Sequence, residues 1–265
     1  MNSRTADPAS LAVPPGSFDL TAAADDALRA AAQAPPRAGD AAHPGFAFVM
    51  ALGGMGWRIG EVCGALGLDF ASGPVLVSCR IGWLAPLRTG ARYHIAARVE
   101  GIERRASRSF GAADHLTLRI AVGKAAEVAL RIVFRVPGAV GVPGGAAPPV
   151  EGPVLRRLDP VDAGAMRVWC AMMRDDNAIH TDRAAAARAG FGPRCVNPGP
   201  ANLAYVLDAL AAGGRRLAAV EARFLGTVFE GDRLAVVAVP GGAALVNAAG
   251  AAAVTVAATF AEGGA

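Results

Sequence analysis

The stretch Trp83-Leu-Ala-Pro-Leu-Arg-Thr-Gly-Ala-Arg92 recurs 141 residues later as Phe224-Leu-Gly-Thr-Val-Phe-Glu-Gly-Asp-Arg233. In both copies an aromatic-Leu pair leads into a short turn closed by Gly, and a strand-like segment of alternating residues follows. Self-similarity at a fixed spacing indicates an internal duplication. The chain of 265 residues is therefore predicted to contain two related halves, each large enough to form a domain.

Both halves show the same order of predicted elements, with alanine-rich helical sequence first and several strands after it. An antiparallel sheet needs its apolar face covered, and a long helix laid across it does so, which predicts an α+β unit for each half. The halves are expected to pair along their sheet edges, because unpaired edges invite aggregation. The predicted helices are 20–33, 45–66, 182–188 and 201–212, and the predicted strands are 93–99, 115–122, 128–136, 234–239, 244–248 and 252–260.

Glycine and proline mark the boundary between the halves. The run from Val136 to Val150 is too rich in both residues to continue a helix or a strand. The predicted organisation is a flexible tail at 1–17, an N-terminal repeat at 18–136, a Gly/Pro linker at 137–154 and a C-terminal repeat at 155–265.

Composition argues against several classes of function. Hydrophobic residues make up 53% of the chain, yet no run approaches the roughly 18 to 20 apolar residues of a membrane-spanning helix. No secretory signal is recognisable at the N-terminus, so a soluble, cytoplasmic protein is expected. The net charge of +4 is spread along the chain and requires no nucleic acid. The cysteines lack metal-ligand spacing and are expected to be buried thiols, with no metal site: Cys63, Cys79, Cys170 and Cys195.

The chemically densest segment is Arg174-Asp-Asp-Asn-Ala-Ile-His-Thr-Asp182. It places the carboxylate of Asp175, the carboxamide of Asn177 and the imidazole of His180 within six residues. A carboxylate and a neutral imidazole can together hold one water and transfer protons as general base and general acid. Taken alone, a His followed by Thr and Asp at the start of a helix also fits a capping arrangement.

This segment resembles the motif of MaoC-like hydratases, Gly-Asp-x-Asn-Pro-Ile/Leu-His-x-Asp. The matching residues, at unbroken spacing, are Asp175, Asn177, Ile179, His180 and Asp182. The resemblance continues through later segments and so covers most of residues 155–262. Those segments are Ala189-Gly-Phe191, Asn197-Pro-Gly199, Arg223-Phe-Leu and Gly231-Asp232.

The resemblance implies an α+β fold of two fused hot-dog repeats, in which residues 18–136 form a degenerate first repeat. At the spacing of 141 residues, Ala34 and Gly39 occupy the positions of Asp175 and His180. The first half is therefore not expected to be catalytic. Its helix at Phe46–Leu52, together with Trp57, is instead expected to hold an acyl chain.

The implied activity is that of a hydro-lyase in fatty acid metabolism. It hydrates a trans-2-enoyl thioester reversibly to the (R)-3-hydroxyacyl thioester, without a cofactor, on substrates carried by coenzyme A or acyl carrier protein. Asp175 and His180 are expected to be the acid/base pair, and Asn177 to orient the water or the loop. Gly199 is expected to donate its amide to the thioester oxygen from a helix N-terminus.

Arginines of the second repeat are candidates for binding coenzyme A or phosphopantetheine, because guanidinium groups bind phosphate bidentately. They flank its turn and strand and are Arg215, Arg216 and Arg223. A solvated, charged strand edge is the alternative interpretation. A homodimer is compatible with the sequence, although two fused repeats already resemble a dimer.

The sequence departs from the family motif at three positions. Arg174 stands where Gly is usual, Ala178 replaces Pro, and a gap-free register puts Pro198, which has no amide hydrogen, at the donor position. A one-residue insertion restores Gly199 to that position. Two alternatives therefore stay open: an acyl-CoA thioesterase on the same fold, and a non-catalytic subunit that binds acyl thioesters.

Overall fold

The computed structural model describes residues 8–142 and 149–262. Within these ranges ten strands form one antiparallel sheet. The strands are β1 (Gly16–Leu20), β2 (Val75–Trp83), β3 (Ala91–Ser107), β4 (Gly111–Val122), β5 (Ala126–Arg135), β6 (Val154–Arg157), β7 (Leu217–Phe224), β8 (Leu234–Val239), β9 (Gly242–Asn247) and β10 (Ala252–Phe260).

Two buried helices lie against this sheet, one in each half. Helix α2 contacts β4 and β5, and helix α6 contacts β9 and β10. All eight residues of α2 are buried, as expected for a helix enclosed by its sheet. The α-helices are α1 (Ala22–Ala31), α2 (Phe46–Gly53), α3 (Ile59–Ala65), α4 (Ala163–Met173), α5 (Arg183–Arg188) and α6 (Gly199–Ala211).

The strand order is β1-β3-β4-β5-β2-β7-β10-β9-β8-β6, so each half contributes five strands in the same sequence from its edge to the centre. At the centre β2 pairs antiparallel with β7, and Arg80 lies opposite Glu221. These two residues are separated by the repeat spacing of 141, which places the pseudo-twofold axis at this pair. The α+β fold of two hot-dog repeats is thus confirmed, with the halves joined through their sheet edges.

The helices that open the two halves begin at equivalent capping residues. Thr21 Oγ1 accepts a hydrogen bond from the Ala24 amide at 3.1 Å. Asp162 Oδ2 accepts one from the Ala165 amide at 2.7 Å. Such caps satisfy amide groups that the first turn leaves unpaired. The duplication therefore preserves the signal that starts α1 and α4, although one cap is a hydroxyl and the other a carboxylate.

The halves differ most between the opening helix and the central helix. In the first half this connection is the loop 32–45, whereas in the second half it is the longer segment 174–198, which includes a 3-10 turn at Ala178–His180 and helix α5. The constant spacing of 141 residues consequently does not hold here. Ala34 and Gly39 belong to a shorter loop and are not structural counterparts of Asp175 and His180.

The predicted helix 45–66 is two helices, α2 and α3, separated by glycines that pack closely against other backbone. A Cβ at Gly53 would lie 2.1 Å from the Met172 carbonyl oxygen, and one at Gly56 would lie 2.4 Å from that of Pro14. A side chain at either position would therefore force the backbone apart. The chain breaks the helix at a place where the backbones of α4 and of the N-terminal segment approach it closely.

The predicted boundaries also differ from the structure. Residues 1–7 of the predicted tail and 143–148 of the predicted linker lie outside the described ranges. The rest of the tail is not loose, because β1 begins at Gly16 and pairs with β3 while Val13 is buried. The four cysteines are free and buried, and burial raises the pKa of Cys63 and Cys170 to about 12. In the described part of the chain, no helix has the length and apolarity to cross a membrane.

Candidate active site

The turn after α4 brings the predicted acid/base residues together. Helix α4 ends at Met173, and its C-cap residue Arg174 adopts the left-handed conformation with φ 53° and ψ 33°. The chain reverses there, and the Asp175 amide donates to the Cys170 carbonyl at 2.9 Å. Gly is favoured at such a position because it has no Cβ to clash.

Asn177 shapes the loop between Asp175 and His180. Its amide donates to Asp175 Oδ1 at 3.0 Å, and its own Oδ1 accepts the Ile179 amide at 3.4 Å. It thereby caps the 3-10 turn that ends at His180. Of the two roles expected for Asn177, these hydrogen bonds correspond to orienting the loop.

His180 Nε2 lies 3.6 Å from Asp175 Oδ2, and both side chains are largely buried, with 10% and 13% exposure. His180 Nδ1 lies 2.7 Å from the carbonyl oxygen of Val196. A carbonyl only accepts hydrogen bonds, so the imidazole in its neutral form has its proton on Nδ1 and a lone pair at Nε2. The lone pair and the carboxylate are both acceptors, and one water between them could donate to both. The pair can therefore hold and deprotonate a water.

The N-terminus of α6 supplies a free amide beside this pair. Gly199 is the first residue of the helix, and Pro198 is its N-cap. The amides of Ala201 and Asn202 donate to the Pro198 carbonyl, Pro200 has no amide hydrogen, and the Gly199 amide has no backbone acceptor in the described ranges. The helix thus directs one unpaired donor outward. Pro198 precedes the helix, so its missing hydrogen does not remove this donor.

A cavity of about 560 Å³ joins these groups and has walls from both halves. The second half contributes polar groups: Asp175, Asn177, His180, Gly199 and Asn202. The first half contributes mainly apolar side chains, among them Phe48, Leu52, Leu76, Leu130 and Ile132. Two residues of the helix that is predicted to hold the acyl chain, Phe48 and Leu52, line the cavity. Met50 is packed in the core, and Trp57 does not line the cavity.

Arg135, at the end of β5, connects the two halves along the cavity wall. Its guanidinium carbon lies 4.8 Å from the ring centre of Phe110 and 5.6 Å from that of Phe191. Its Nη1 donates to the carbonyl of Ala189 at 3.2 Å. Cation–π contacts of this kind are worth about 0.5–1 kcal/mol at exposed sites. Arg135 therefore ties the β3–β4 hairpin of one half to the loop after α5 of the other.

The structure does not bring the three predicted carrier-binding arginines to the cavity. Arg223 is on β7 with a side chain that is 70% exposed, 3.9 Å from Glu221. Arg215 stacks on Phe260 at 3.5 Å, and it and Arg216 precede β7 at the end opposite Phe224, which lines the cavity. A strand advances about 3.3 Å per residue, so the length of β7 separates Arg215 and Arg216 from the cavity.

Sequence reasoning missed the Val196 carbonyl, Asn202 and the part of the apolar wall that β2 and β5 of the first half supply. A backbone carbonyl leaves no trace in a residue pattern, and the wall depends on how the halves pack. Asn202 did carry a signal, because it lies three residues after Gly199 on the same face of α6. Among the described residues, no cluster of three His, Cys, Asp or Glu side chains could hold a metal ion.

Comparison with known proteins shows which proteins this chain resembles. The family model of the MaoC like domain matches residues 147–261. No curated protein sequence matches significantly. Among solved structures, HtdX from Mycobacterium tuberculosis is similar at 20% identity and a TM-score of 0.68, over 93% of this chain and 98% of HtdX. A MaoC-like dehydratase from Phytophthora capsici is similar at 15% identity and a TM-score of 0.70, over 96% and 98% of the two chains.

A third structure extends the comparison of fold. A conserved hypothetical protein from Mycobacterium tuberculosis with a double hotdog fold is similar at 14% identity and a TM-score of 0.57, and 94% of each chain is covered. At these identities the likeness shows the fold alone. It extends over nearly the whole chain and therefore includes both halves. The family match includes the segment from Asp175 to His180 and the start of α6. The second half of this chain, at residues 147–261, is therefore similar to the MaoC like domain.

Proposed function

We propose that the chain catalyses the reversible hydration of a trans-2-enoyl thioester to the (R)-3-hydroxyacyl thioester. The observation that carries this proposal is the 3.6 Å separation of Asp175 Oδ2 and His180 Nε2, with the Val196 carbonyl holding the imidazole proton on Nδ1. Two acceptors facing one another at the wall of a largely apolar cavity favour a bound water over a direct hydrogen bond.

In the hydration direction, the oxygen of this water forms a bond to the β-carbon of the enoyl thioester while one water proton passes to the Asp175–His180 pair. The electrons of the double bond move toward the thioester carbonyl, and the α-carbon then takes a proton from the pair. One water is added and the double bond is lost, so the pair returns to its starting state. General acid–base groups of this kind contribute about 10²- to 10⁴-fold to a rate.

The remaining groups of the cavity suit the two ends of such a substrate. The Gly199 amide can donate to the thioester oxygen, where negative charge develops. The apolar side chains of the first half, including Phe48, Leu52 and Leu130, can cover the acyl chain. Coenzyme A or acyl carrier protein would carry the thioester.

The test is the ultraviolet absorbance of the conjugated thioester, measured with crotonyl-CoA and longer trans-2-enoyl-CoAs. Wild type should remove the absorbance and form the (R)-3-hydroxy product, while Asp175→Asn and His180→Ala should each lose at least about 100-fold in kcat. Asp176→Asn is the matched control, since that neighbouring carboxylate is half exposed and faces Arg58 at 3.6 Å. Release of free thiol from saturated acyl-CoA without hydration would indicate a thioesterase, and binding without turnover would indicate a non-catalytic subunit.

A further inference from the structure

Asn202 is a buried polar residue on the wall of the cavity, with 4% of its surface exposed. Its Oδ1 accepts a hydrogen bond from Asn197 Nδ2 at 2.7 Å. Asn197 is itself fixed, because it is 2% exposed and its amide donates to the Val228 carbonyl at 2.8 Å. The carboxamide of Asn202 is therefore oriented with its oxygen toward Asn197 and its NH₂ group elsewhere.

The NH₂ group of Asn202 has no acceptor in the described part of the chain, and it is not sealed off from solvent space. A buried amide group without a partner costs about 1–3 kcal/mol, so its donors need an acceptor from the cavity. Asn is also less favourable than Ala or Leu inside a helix. Neither helix formation nor core packing accounts for this residue at this position.

Helix geometry directs Asn202 toward the free amide of Gly199. The two residues are three positions apart and lie on one face of α6. Side chains of a helix lean toward its N-terminus, so the carboxamide of Asn202 extends over the turn that begins at Gly199. Gly199 has no side chain to separate them, and a Cβ there would meet Leu76 Cδ2 at 3.2 Å. Two donors thus face the same part of the cavity.

We propose that Asn202 Nδ2 is a second hydrogen-bond donor to the thioester oxygen, acting together with the Gly199 amide. This inference rests on the proposed hydration reaction. Preorganised donors stabilise the negative charge that develops on this oxygen as the double bond is polarised. The hydrogen bond from Asn197 holds the carboxamide in place before substrate arrives, so that little reorganisation is needed. Asn202 is then a catalytic residue, and Asn197 is a positioning residue.

The test compares Asn202→Asp and Asn202→Ala with wild type. Asn202→Asp keeps the oxygen that accepts from Asn197 and replaces only the NH₂ group, whereas Asn202→Ala removes both. Each variant should lose about 10²- to 10³-fold in kcat with trans-2-enoyl-CoA, with a smaller change in KM. Thermal unfolding of each variant checks that the fold is kept.

A spectroscopic measurement separates a donor from a merely structural residue. A 2,4-dienoyl-CoA absorbs at longer wavelength when its carbonyl is polarised by hydrogen-bond donors. We expect this shift with Asp175→Asn protein, in which turnover is blocked, and a smaller shift when Asn202→Asp or Asn202→Ala is added. A loss of kcat together with a reduced shift supports the inference.

Each other outcome overturns the inference. If wild type is active and both Asn202 variants keep its kcat, the inference about Asn202 is wrong while the proposed function stands. The same conclusion follows if kcat falls but the absorbance shift is unchanged. A wild type that neither hydrates any enoyl-CoA nor shifts the dienoyl absorbance contradicts the proposed function, and the inference with it.

Discussion

His43 Nδ1 accepts a hydrogen bond from the amide of Gly45 at 3.0 Å. The segments His43-Pro-Gly45 and Asn197-Pro-Gly199 stand at corresponding places, where the central helix of each half begins. In the first half the glycine amide is occupied by the histidine, while in the second half it is free. The lack of a free donor, together with the short loop after α1, explains why only the second half has a candidate active site.

The first prediction concerns His43 and the pH dependence of stability. Burial, followed by the charges of Arg29 and Arg156, lowers the pKa of His43 to about 3. An unfolded histidine titrates near 6.5, so between about pH 6.5 and 3 the unfolded state binds more protons and stability falls as pH falls. The titration of His43 should therefore lower the free energy of unfolding by about 2 kcal/mol between about pH 7 and about pH 5.

The measurement is urea unfolding of wild type and His43→Asn at both pH values. The asparagine keeps an acceptor for the Gly45 amide and does not titrate, so its free energy of unfolding should decrease less on acidification. Burial raises the pKa of the neighbouring Asp208, a contribution that both proteins share. Equal pH dependence in the two proteins would contradict a neutral, buried His43.

The second prediction concerns the backbone strain at Arg174, where a residue with a Cβ has φ 53°. A left-handed residue other than Gly costs about 1–2 kcal/mol. The Arg174 side chain also donates to the Met55 carbonyl at 2.9 Å, which ties the second half to the first. Both Arg174→Gly and Arg174→Ala lose this bond, but only the glycine relieves the strain.

Arg174→Gly should consequently be more stable than Arg174→Ala by about 1 kcal/mol, measured as the free energy of unfolding in urea. Both variants lack the arginine side chain, so the difference between their free energies of unfolding reports the backbone strain. Equal stability of the two variants would show that the turn after α4 relaxes when the arginine is removed.

The third prediction concerns the space around the Gly199 amide. In Gly199→Ala the new Cβ would lie 3.2 Å from Leu76 Cδ2 and 3.4 Å from Phe224 Cε1. Contacts this close should displace the start of α6 and lower kcat by at least about tenfold, since small misplacements of donors are costly in active sites. The double variant Gly199→Ala with Leu76→Ala should recover part of the loss. Absence of recovery would point to a cause other than this contact.

The fourth prediction concerns the apolar wall of the first half. Leu52 of α2 lines the cavity, so Leu52→Trp should reduce kcat/KM for long trans-2-enoyl-CoAs more than for crotonyl-CoA. Leu84→Trp is a suitable control, because Leu84 is 69% exposed and lies outside this cavity. An unchanged chain-length preference in Leu52→Trp would mean that the acyl chain does not lie against α2.

The sequence predicted those parts of the fold that depend on local pattern. Strands β8 and β10 match their predicted bounds, 234–239 and 252–260, because short, mainly apolar segments bounded by glycine-containing turns leave few options. Helix α4 was not predicted, although Asp162 caps it, because its Met- and Trp-containing sequence resembles a buried segment of either kind. Edge strands β1 and β6 were missed as well, since four or five residues give too little alternation.

At the site, the motif predicted the residues that a single loop supplies. Asp175, Asn177 and His180 are close in sequence, and the turn after α4 brings them together. The prediction for Arg215 and Arg216 rests on their charge and on their position beside the turn and strand of the second repeat. Neither property says which end of a strand faces a cavity. The contributions of Leu130 and Arg135 depend on how the two halves meet, which no local pattern records.

The pairing of β2 with β7 has a consequence for how the two halves can vary. In a homodimer of identical repeats, every substitution appears twice and alters both copies. Here both partners belong to one polypeptide, so their association is intramolecular and does not weaken on dilution. A change can enter one copy alone, so one half can supply a mainly apolar wall of the cavity while the other supplies the Asp175–His180 pair. Because one polypeptide contains both halves, a difference between them is fixed in its sequence.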